Sequence, residues 1–151
     1  MAKLAIHTAV FALLEQNGKF CALRRANTGW ADGKLTLPSG HIEAYERPTV
    51  AVMREVLEEV GVVVKPAEVE LIHSQYFFED EAGGDHYANY YFKCHRWEGT
   101  PHNAEPAKAS ELLWLPIGED AELVRPVNLF IRAYAHNEMY TECVMEKGVA
   151  P

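Results

Sequence analysis

The sequence is poor in cysteine and in basic residues, and both shortages narrow the possible functions. Its 151 residues include three cysteines, Cys21, Cys94 and Cys143, which stand far apart and form no CxxC pair. Neither a zinc site nor a disulfide framework is therefore indicated, and a reducing cytoplasm is the expected location. With 14 Lys and Arg against 22 Asp and Glu, the formal net charge is −8. Because no basic stripe is present, binding to nucleic acid is not expected.

Long apolar runs are also missing. The N-terminal segment holds about ten apolar or small residues, but His7 and Thr8 interrupt it and no small-residue cleavage site follows. The run is too short to cross a bilayer, so no membrane association is expected. We find no internal repeat, low-complexity stretch or linker, and residues 1–151 are interpreted as a single domain.

Apolar patterns and turn signals predict an α+β fold. The nearly continuous apolar run at 4–14 is typical of a central strand covered on both faces. A turn at 16–18 and a returning strand at 19–25 follow. Further strands are predicted at 35–37, 69–78, 86–97 and 112–116, and helices at 49–60 and 128–137. Strands outnumber helices and two helices flank them, which favours a mixed sheet in a layered sandwich.

The first predicted helix carries an unusual concentration of like charge. Placed at about 100° per residue, Glu55, Glu58 and Glu59 crowd a narrow arc, with Arg54 at its edge. The apolar half of the wheel holds Val50, Val52, Met53, Val56, Leu57 and Val60. Each neighbouring pair of carboxylates costs a few tenths of a kcal/mol. The arc is either a solvated acidic face or a site for a hard cation such as magnesium, which prefers oxygen ligands.

The spacing around this arc favours the cation site. The segment 40–62 resembles the signature of the Nudix hydrolase family, and all nine of the specified positions agree. These positions are Gly40, Glu46, Arg54, Glu55, Val56, Glu58, Glu59, Gly61 and Val62. The flanking segments RRANTGWADGKLTLPSGH and WEGTPHNAEPAK are similar to a bacterial subgroup of the family.

The resemblance implies an αβα sandwich with a mixed β-sheet and a loop–helix–loop metal site. It also implies Mg²⁺-dependent or Mn²⁺-dependent hydrolysis of a nucleoside diphosphate linked to another moiety, by attack of water on a pyrophosphate phosphorus. The expected partner is a small-molecule nucleotide: a nucleoside triphosphate (oxidised ones included), an ADP-ribose-like compound or a sugar nucleotide. Chain length leans toward a triphosphate, and a homodimer is one possible assembly.

Roles for the signature residues follow from the same resemblance. Glu55, Glu58 and Glu59 are implied as magnesium ligands, and Glu55 is alternatively the general base. Arg54 is implied to orient these carboxylates by ion pairing. Glu46 is the further structural or metal-linked acid of the motif.

Residues outside the acidic arc also have implied roles. The carbonyl of Ser39 resembles a further metal ligand, and Gly40 allows the backbone to approach. Arg25 resembles an arginine that contacts substrate phosphate, and Glu105 a distal acid that completes the metal shell or serves as base. Trp30 is the best aromatic candidate for the rim of the pocket.

Two features depart from the usual family pattern or compete with these assignments. Ser39 and Tyr45 stand where relatives often have glycine, which puts the backbone of the loop in doubt. A second acidic group, Glu79, Asp80, Glu81 and Asp85, is interpreted first as a solubilising loop.

Two other functional classes remain open on the sequence. One is a Nudix-fold binding or sensor module that holds a nucleotide without cleaving it. The other is an isomerase acting on an isoprenoid diphosphate, which would need a cysteine and a glutamate facing the alkene.

Overall fold

The computed structural model describes residues 3–79, 84–118 and 122–145. Within these ranges the chain forms eight strands and two α-helices. In chain order the elements are β1 (His7–Gln16), β2 (Lys19–Arg25), β3 (Leu35–Thr36), β4 (Ser39–His41), α1 (Pro48–Val60), a short 3-10 helix (Pro66–Glu68), β5 (Val69–Glu79), β6 (His86–Cys94), β7 (Ala109–Pro116), α2 (Arg125–Ala135) and β8 (Tyr140–Met145). Neither described α-helix has the length and apolar character needed to cross a membrane.

The strands form one mixed sheet. Their order is β3-β2-β1-β6-β5-β8, with β4 paired to β1 and β7 paired to β2. The β1–β6 and β5–β8 pairs are parallel, and the remaining pairs are antiparallel. The predicted α+β fold with a mixed sheet is therefore confirmed.

The central strand β1 is covered on both faces, as its apolar run predicts. Val10 packs in a cluster with Val56 of α1, and both are fully buried. Leu13 points to the other face and packs in a cluster with Phe130 of α2, again fully buried. Alternate residues of one strand thus join two cores, and the helices lie on opposite sides of the sheet as an αβα sandwich.

Helix α1 ends at the predicted residue, Val60, and begins at Pro48, one residue before the predicted start. Pro48 is its first residue, a position at which the missing N–H costs nothing. Gly61 ends it in the left-handed conformation, with φ of 69°, and its N–H donates to the carbonyl of Leu57. The acidic arc is therefore held on a rigid helix whose apolar side is packed on the sheet.

Several boundaries differ from those predicted. β1 starts at His7 rather than at residue 4, and Leu4 is 58% exposed. β7 starts at Ala109, and α2 starts at Arg125, one residue before the Pro126 that occupies its first turn. β6 ends at Cys94 rather than at residue 97.

Two strands were not predicted at all, because long-range pairing creates them. β4 has the weak strand sequence Ser-Gly-His, and it forms because residues 9–11 of β1 offer it an antiparallel partner. β8 pairs in parallel with residues 74–79 of β5, far away in sequence. Local patterns carry little information about such pairings.

The loop and cysteine predictions have mixed outcomes. Asp80 and Glu81 of the acidic loop lie outside the described residues, whereas the side chain of Asp85 lies 3.5 Å from His7 and is 58% exposed. The three cysteines are buried and unpaired. Burial raises the pKa of Cys21 and of Cys94 to about 12, so both thiols stay protonated and suit packing. The cytoplasmic location stays a prediction.

Candidate active site

A cavity of about 620 Å³ opens beside the signature segment. Four acidic residues contribute to its wall: the predicted site residues Glu55, Glu59 and Glu105, and Asp85 of the second acidic group. Another stretch of the wall is mainly aromatic and apolar, formed by Phe11, Phe77, Tyr87, Val124 and Pro126. A site with charged groups against one part of a ligand and apolar groups against another suits a molecule that is itself amphiphilic.

Arg54 joins the signature loop to helix α1. Its Nε and Nη2 donate to the two carboxylate oxygens of Glu46, at 2.8 and 2.9 Å. Its Nη1 donates to Glu55 at 2.6 Å, and its Nη2 also donates to the carbonyl of His41 at 3.2 Å. Hydrogen bonds from Arg54 lower the pKa of Glu46, so this acid stays ionised. The bidentate pair is well suited to fix the loop relative to the helix.

Glu55 is buried against the backbone of β4. It is 8% exposed, and burial raises its pKa although Arg54 acts in the opposite direction. A Cβ placed on Gly40 would lie 2.0 Å from Oε1 of Glu55, which is impossible without displacing the carboxylate. Gly40 is therefore required by close approach rather than by an unusual backbone conformation.

Glu59 points from the next turn of α1 toward the same strand. Its Oε2 accepts a hydrogen bond from the backbone N–H of Ser39 at 2.7 Å. Burial raises the pKa of Glu59 to about 8, and the neighbouring carboxylates of Glu55 and Glu105 push it in the same direction. The helix thus holds two carboxyl groups in surroundings that disfavour their charged forms.

The other two predicted acidic residues, Glu105 and Glu58, lie in different surroundings from Glu55 and Glu59. Glu105 lines the cavity and forms an ion pair of 2.7 Å with Lys108, which also lines it. Glu58 is not part of the cavity wall; its side chain is 52% exposed and lies 3.5 Å from Arg54. In the conformation described for 3–79, 84–118 and 122–145, no three acidic, histidine or cysteine side chains are clustered closely enough to hold an ion.

The donor set nevertheless fits a hard divalent cation. The candidate ligands Glu55, Glu59 and Glu105 are all oxygen donors, as magnesium and manganese prefer. Gly40 brings the backbone of β4 directly beside the Glu55 carboxylate, and the backbone N–H of Ser39 in the same strand donates to Glu59. A cation here would lower the cost of burying these charges. The individual ligand roles stay predictions.

Arg25 and Trp30 form a preorganised part of the rim. Arg25 donates from Nε to the carbonyl of Trp30 and from Nη2 to the hydroxyl of Thr28, both at 2.8 Å. Its guanidinium also stands 4.9 Å from the centre of the Trp30 ring. Asp32 fixes the same loop by accepting from the backbone of Thr28 and Gly29. Both predicted substrate residues line the cavity.

The departure at Tyr45 has a structural outcome. Tyr45 has a φ of 64°, in the left-handed region that glycine adopts freely, and its side chain is fully exposed. The loop therefore keeps a glycine-like backbone at this position despite the tyrosine. Ser39 shows no positive φ and needs no glycine.

Sequence reasoning missed several polar residues of the cavity, among them Asn89 and Lys108. Lys108 follows Glu105 by three residues, and this i, i+3 spacing was the available signal. Asn89 lies within a strand of aromatic residues, and its one signal was a polar amide in an otherwise apolar strand interior.

Comparison with known proteins is consistent with this geometry. The family model described as NUDIX domain matches residues 3–132. The 8-oxo-dGTP diphosphatase of Escherichia coli K12 is 34% identical over 129 residues, covering 85% of this chain and 92% of that protein. The MutT NUDIX hydrolase structure from Burkholderia pseudomallei has a TM-score of 0.76 at 22% identity, covering 85% of this chain and 97% of that one. The MutT protein structure from Bacillus halodurans has a TM-score of 0.74 at 19% identity, covering 94% and 92%.

Proposed function

Because this chain belongs to the Nudix family and is a pyrophosphohydrolase, we propose that it hydrolyses a nucleoside triphosphate with Mg²⁺ or Mn²⁺ bound. Water attacks one phosphorus of the substrate, and the products are a nucleoside monophosphate and pyrophosphate. The observation that carries the proposal is that carboxylates line one stretch of the cavity wall and aromatic groups another. Such a wall suits a cation-bound polyphosphate joined to a base.

One observation favours the triphosphate as the substrate class, and a second supports a phosphate-bearing substrate in general. The relative that matches over most of both chains carries the name 8-oxo-dGTP diphosphatase, so a triphosphate, oxidised or not, heads the candidates. Arg25 at the rim offers a guanidinium that suits phosphate oxygens. ADP-ribose-like and sugar nucleotides are the competing substrates of the same site.

The metal would be held by Glu55, Glu59 and Glu105, with Glu58 and the Ser39 carbonyl as further ligands. When bound, it polarises phosphoryl oxygens, neutralises developing charge and acidifies the attacking water. Arg54 holds Glu55 and Glu46 in place through its hydrogen bonds. Glu55 and Glu105 are the two candidates to take the proton from water. The apolar wall around Phe11 and Tyr87 excludes water from the base.

The test is a screen of nucleotides with Mg²⁺, in which release of pyrophosphate and of phosphate is measured separately. Glu58→Gln and Glu59→Gln should each lower turnover by about a hundredfold or more, because removing one charged group from a metal-assisted site has effects of that order. Glu98→Gln is the matched control, since Glu98 is exposed and pairs with Lys65 away from the cavity.

Two results would contradict the proposal. If both helix variants keep wild-type rates, the metal assignment is wrong. If nucleotides bind tightly but no product appears with either metal, the chain is a sensor rather than an enzyme.

A further inference from the structure

One amide of the cavity is placed to read the nucleobase. Asn89 lies in the middle of the sheet, paired with Ala9 of β1 on one side and Gln75 of β5 on the other. It is 3% exposed, yet it contributes to the cavity wall among Phe77 and Tyr87. Buried polar side-chain atoms in proteins nearly always have a hydrogen-bond partner, either in the protein or in a bound molecule.

The hydrogen bonds around Gln75 fix which way that residue points. Its Nε2 lies 3.0 Å from the carbonyl oxygen of Pro126, an atom that can only accept. The same Nε2 lies 3.2 Å from the hydroxyl of Thr141. That hydroxyl is 2.9 Å from Nε2 of His73, whose Nδ1 faces the carbonyl of Glu138 and therefore carries the ring proton. Thr141 then donates to His73 and accepts from Gln75.

The orientation of Gln75 determines that of Asn89. With its nitrogen used by Pro126 and Thr141, Gln75 presents Oε1 to its other neighbours, and Tyr91 donates to this oxygen at 3.1 Å. Asn89 lies 3.2 Å from the same oxygen and must offer its Nδ2. The planar amide then turns Oδ1 of Asn89 away from Gln75, and within the described part of the chain this oxygen accepts no hydrogen bond.

We propose that Oδ1 of Asn89 accepts a hydrogen bond from an N–H of the nucleobase, which makes Asn89 a specificity-determining residue. The favoured substrates are nucleotides whose base presents a ring N–H or an amino group to the apolar part of the cavity. A base that presents acceptors or a methyl group there leaves the Asn89 oxygen buried and unpaired, and is rejected. Gln75 acts as a positioning residue, because it keeps the acceptor side of Asn89 toward the ligand.

This inference depends on the proposed function, and the experiment separates the two. The best substrate of the screen is compared with analogues of the same nucleotide that each lack one N–H donor of the base. An amino group is replaced by hydrogen, and a ring N–H is replaced by C–H or by N-methyl. In the wild-type enzyme, one replacement should lower kcat/KM by about tenfold to a hundredfold, with the change mainly in KM. In Asn89→Leu this analogue and its parent should be hydrolysed at rates within about threefold of each other.

Thr36→Val is the matched control, because it also removes a polar group from a buried residue of the cavity wall. It should keep the wild-type preference. If Asn89→Leu does not fold, Asn89→Ser replaces it, and the same ratio of kcat/KM between parent nucleotide and analogue is compared with that of the wild type. Gln75→Leu should reduce the preference without changing the identity of the critical N–H.

The outcomes are distinct. Hydrolysis with a single sensitive N–H whose effect disappears in the Asn89 variants supports the inference. Hydrolysis without any sensitive N–H, or with a preference that survives Asn89→Leu, overturns it and leaves the proposed function intact. Failure to hydrolyse or bind any nucleotide overturns both.

Discussion

Replacing Glu59 with glutamine should stabilise the metal-free protein while it removes activity. The Glu59 carboxyl accepts a hydrogen bond from the backbone of Ser39, and burial raises its pKa to about 8 from an ordinary 4.5. An amide has the same shape and can accept the same hydrogen bond. The variant therefore removes a charge that the fold disfavours and changes little else.

The magnitude follows from linkage between protonation and folding. At pH 7 the Glu59 carboxyl is ionised in the unfolded chain but mostly protonated in the folded protein. Ionisation therefore stabilises the unfolded state by about 3 kcal/mol relative to the folded state. Glutamine removes this advantage of the unfolded state, so Glu59→Gln should raise the free energy of unfolding by about 2 to 3 kcal/mol at pH 7. Because the folded pKa is raised, the effect grows from pH 4.5 to about 8 and is absent below pH 4.5.

Urea denaturation in EDTA at several pH values measures this effect. Glu58→Gln is the matched control: it changes the same charge on the same helix, but the Glu58 side chain is 52% exposed, and its stability should change by no more than about 0.5 kcal/mol. Adding Mn²⁺ should stabilise the wild type more than Glu59→Gln, since a ligand stabilises the state that binds it. A Glu59→Gln variant that is no more stable than the wild type at pH 7, or whose gain does not depend on pH, would refute the reasoning.

Two further predictions concern Gly40 and His73. Gly40→Ala should lower turnover by about a hundredfold, because the new Cβ displaces the carboxylate of Glu55. The free energy of unfolding should fall by no more than about 1 kcal/mol, because the displaced group is the flexible end of a side chain rather than backbone. Turnover and thermal unfolding are measured on the same sample, and full activity of the variant would contradict the close approach of Gly40 to Glu55. His73 is 2% exposed and burial lowers its pKa, so the unfolded chain binds the proton more readily and stability should fall as pH drops below about 6.5. His73→Gln should reduce this fall between pH 7 and 5 in denaturation experiments, and an unchanged pH profile would show that another group causes it.

The parts of the fold that local sequence determines were predictable. The apolar run of β1, the Asn17–Gly18 turn and the caps of α1 each depend on a few neighbouring residues, and the structure agrees with them. β4 and β8 were not predictable in this way. Their partners lie more than twenty residues away in the chain, and the sequence Ser39–His41 becomes a strand because β1 has a free edge beside it.

The candidate site likewise combines features that local sequence predicts with features that depend on long-range packing. The acidic arc of α1 and its relation to Arg54 follow from helical periodicity, and the motif spacing identifies the family. The raised pKa of Glu59 does not follow from that pattern, since it depends on burial against β4, which local sequence does not predict.

Asn89 shows most clearly why specificity is harder to predict than chemistry. Several of the candidate metal ligands are carboxylates on one helix, and this arrangement leaves a repeating pattern in the sequence. Recognition of a base needs one acceptor whose direction is set by Gln75, and Gln75 is in turn set by the carbonyl of Pro126 on α2 and by Thr141 on β8. These three elements meet only after folding, so no spacing records the arrangement. A substitution at Thr141, which contributes no side chain to the cavity wall, should therefore alter base preference more than an equally conservative one at Thr36, which does.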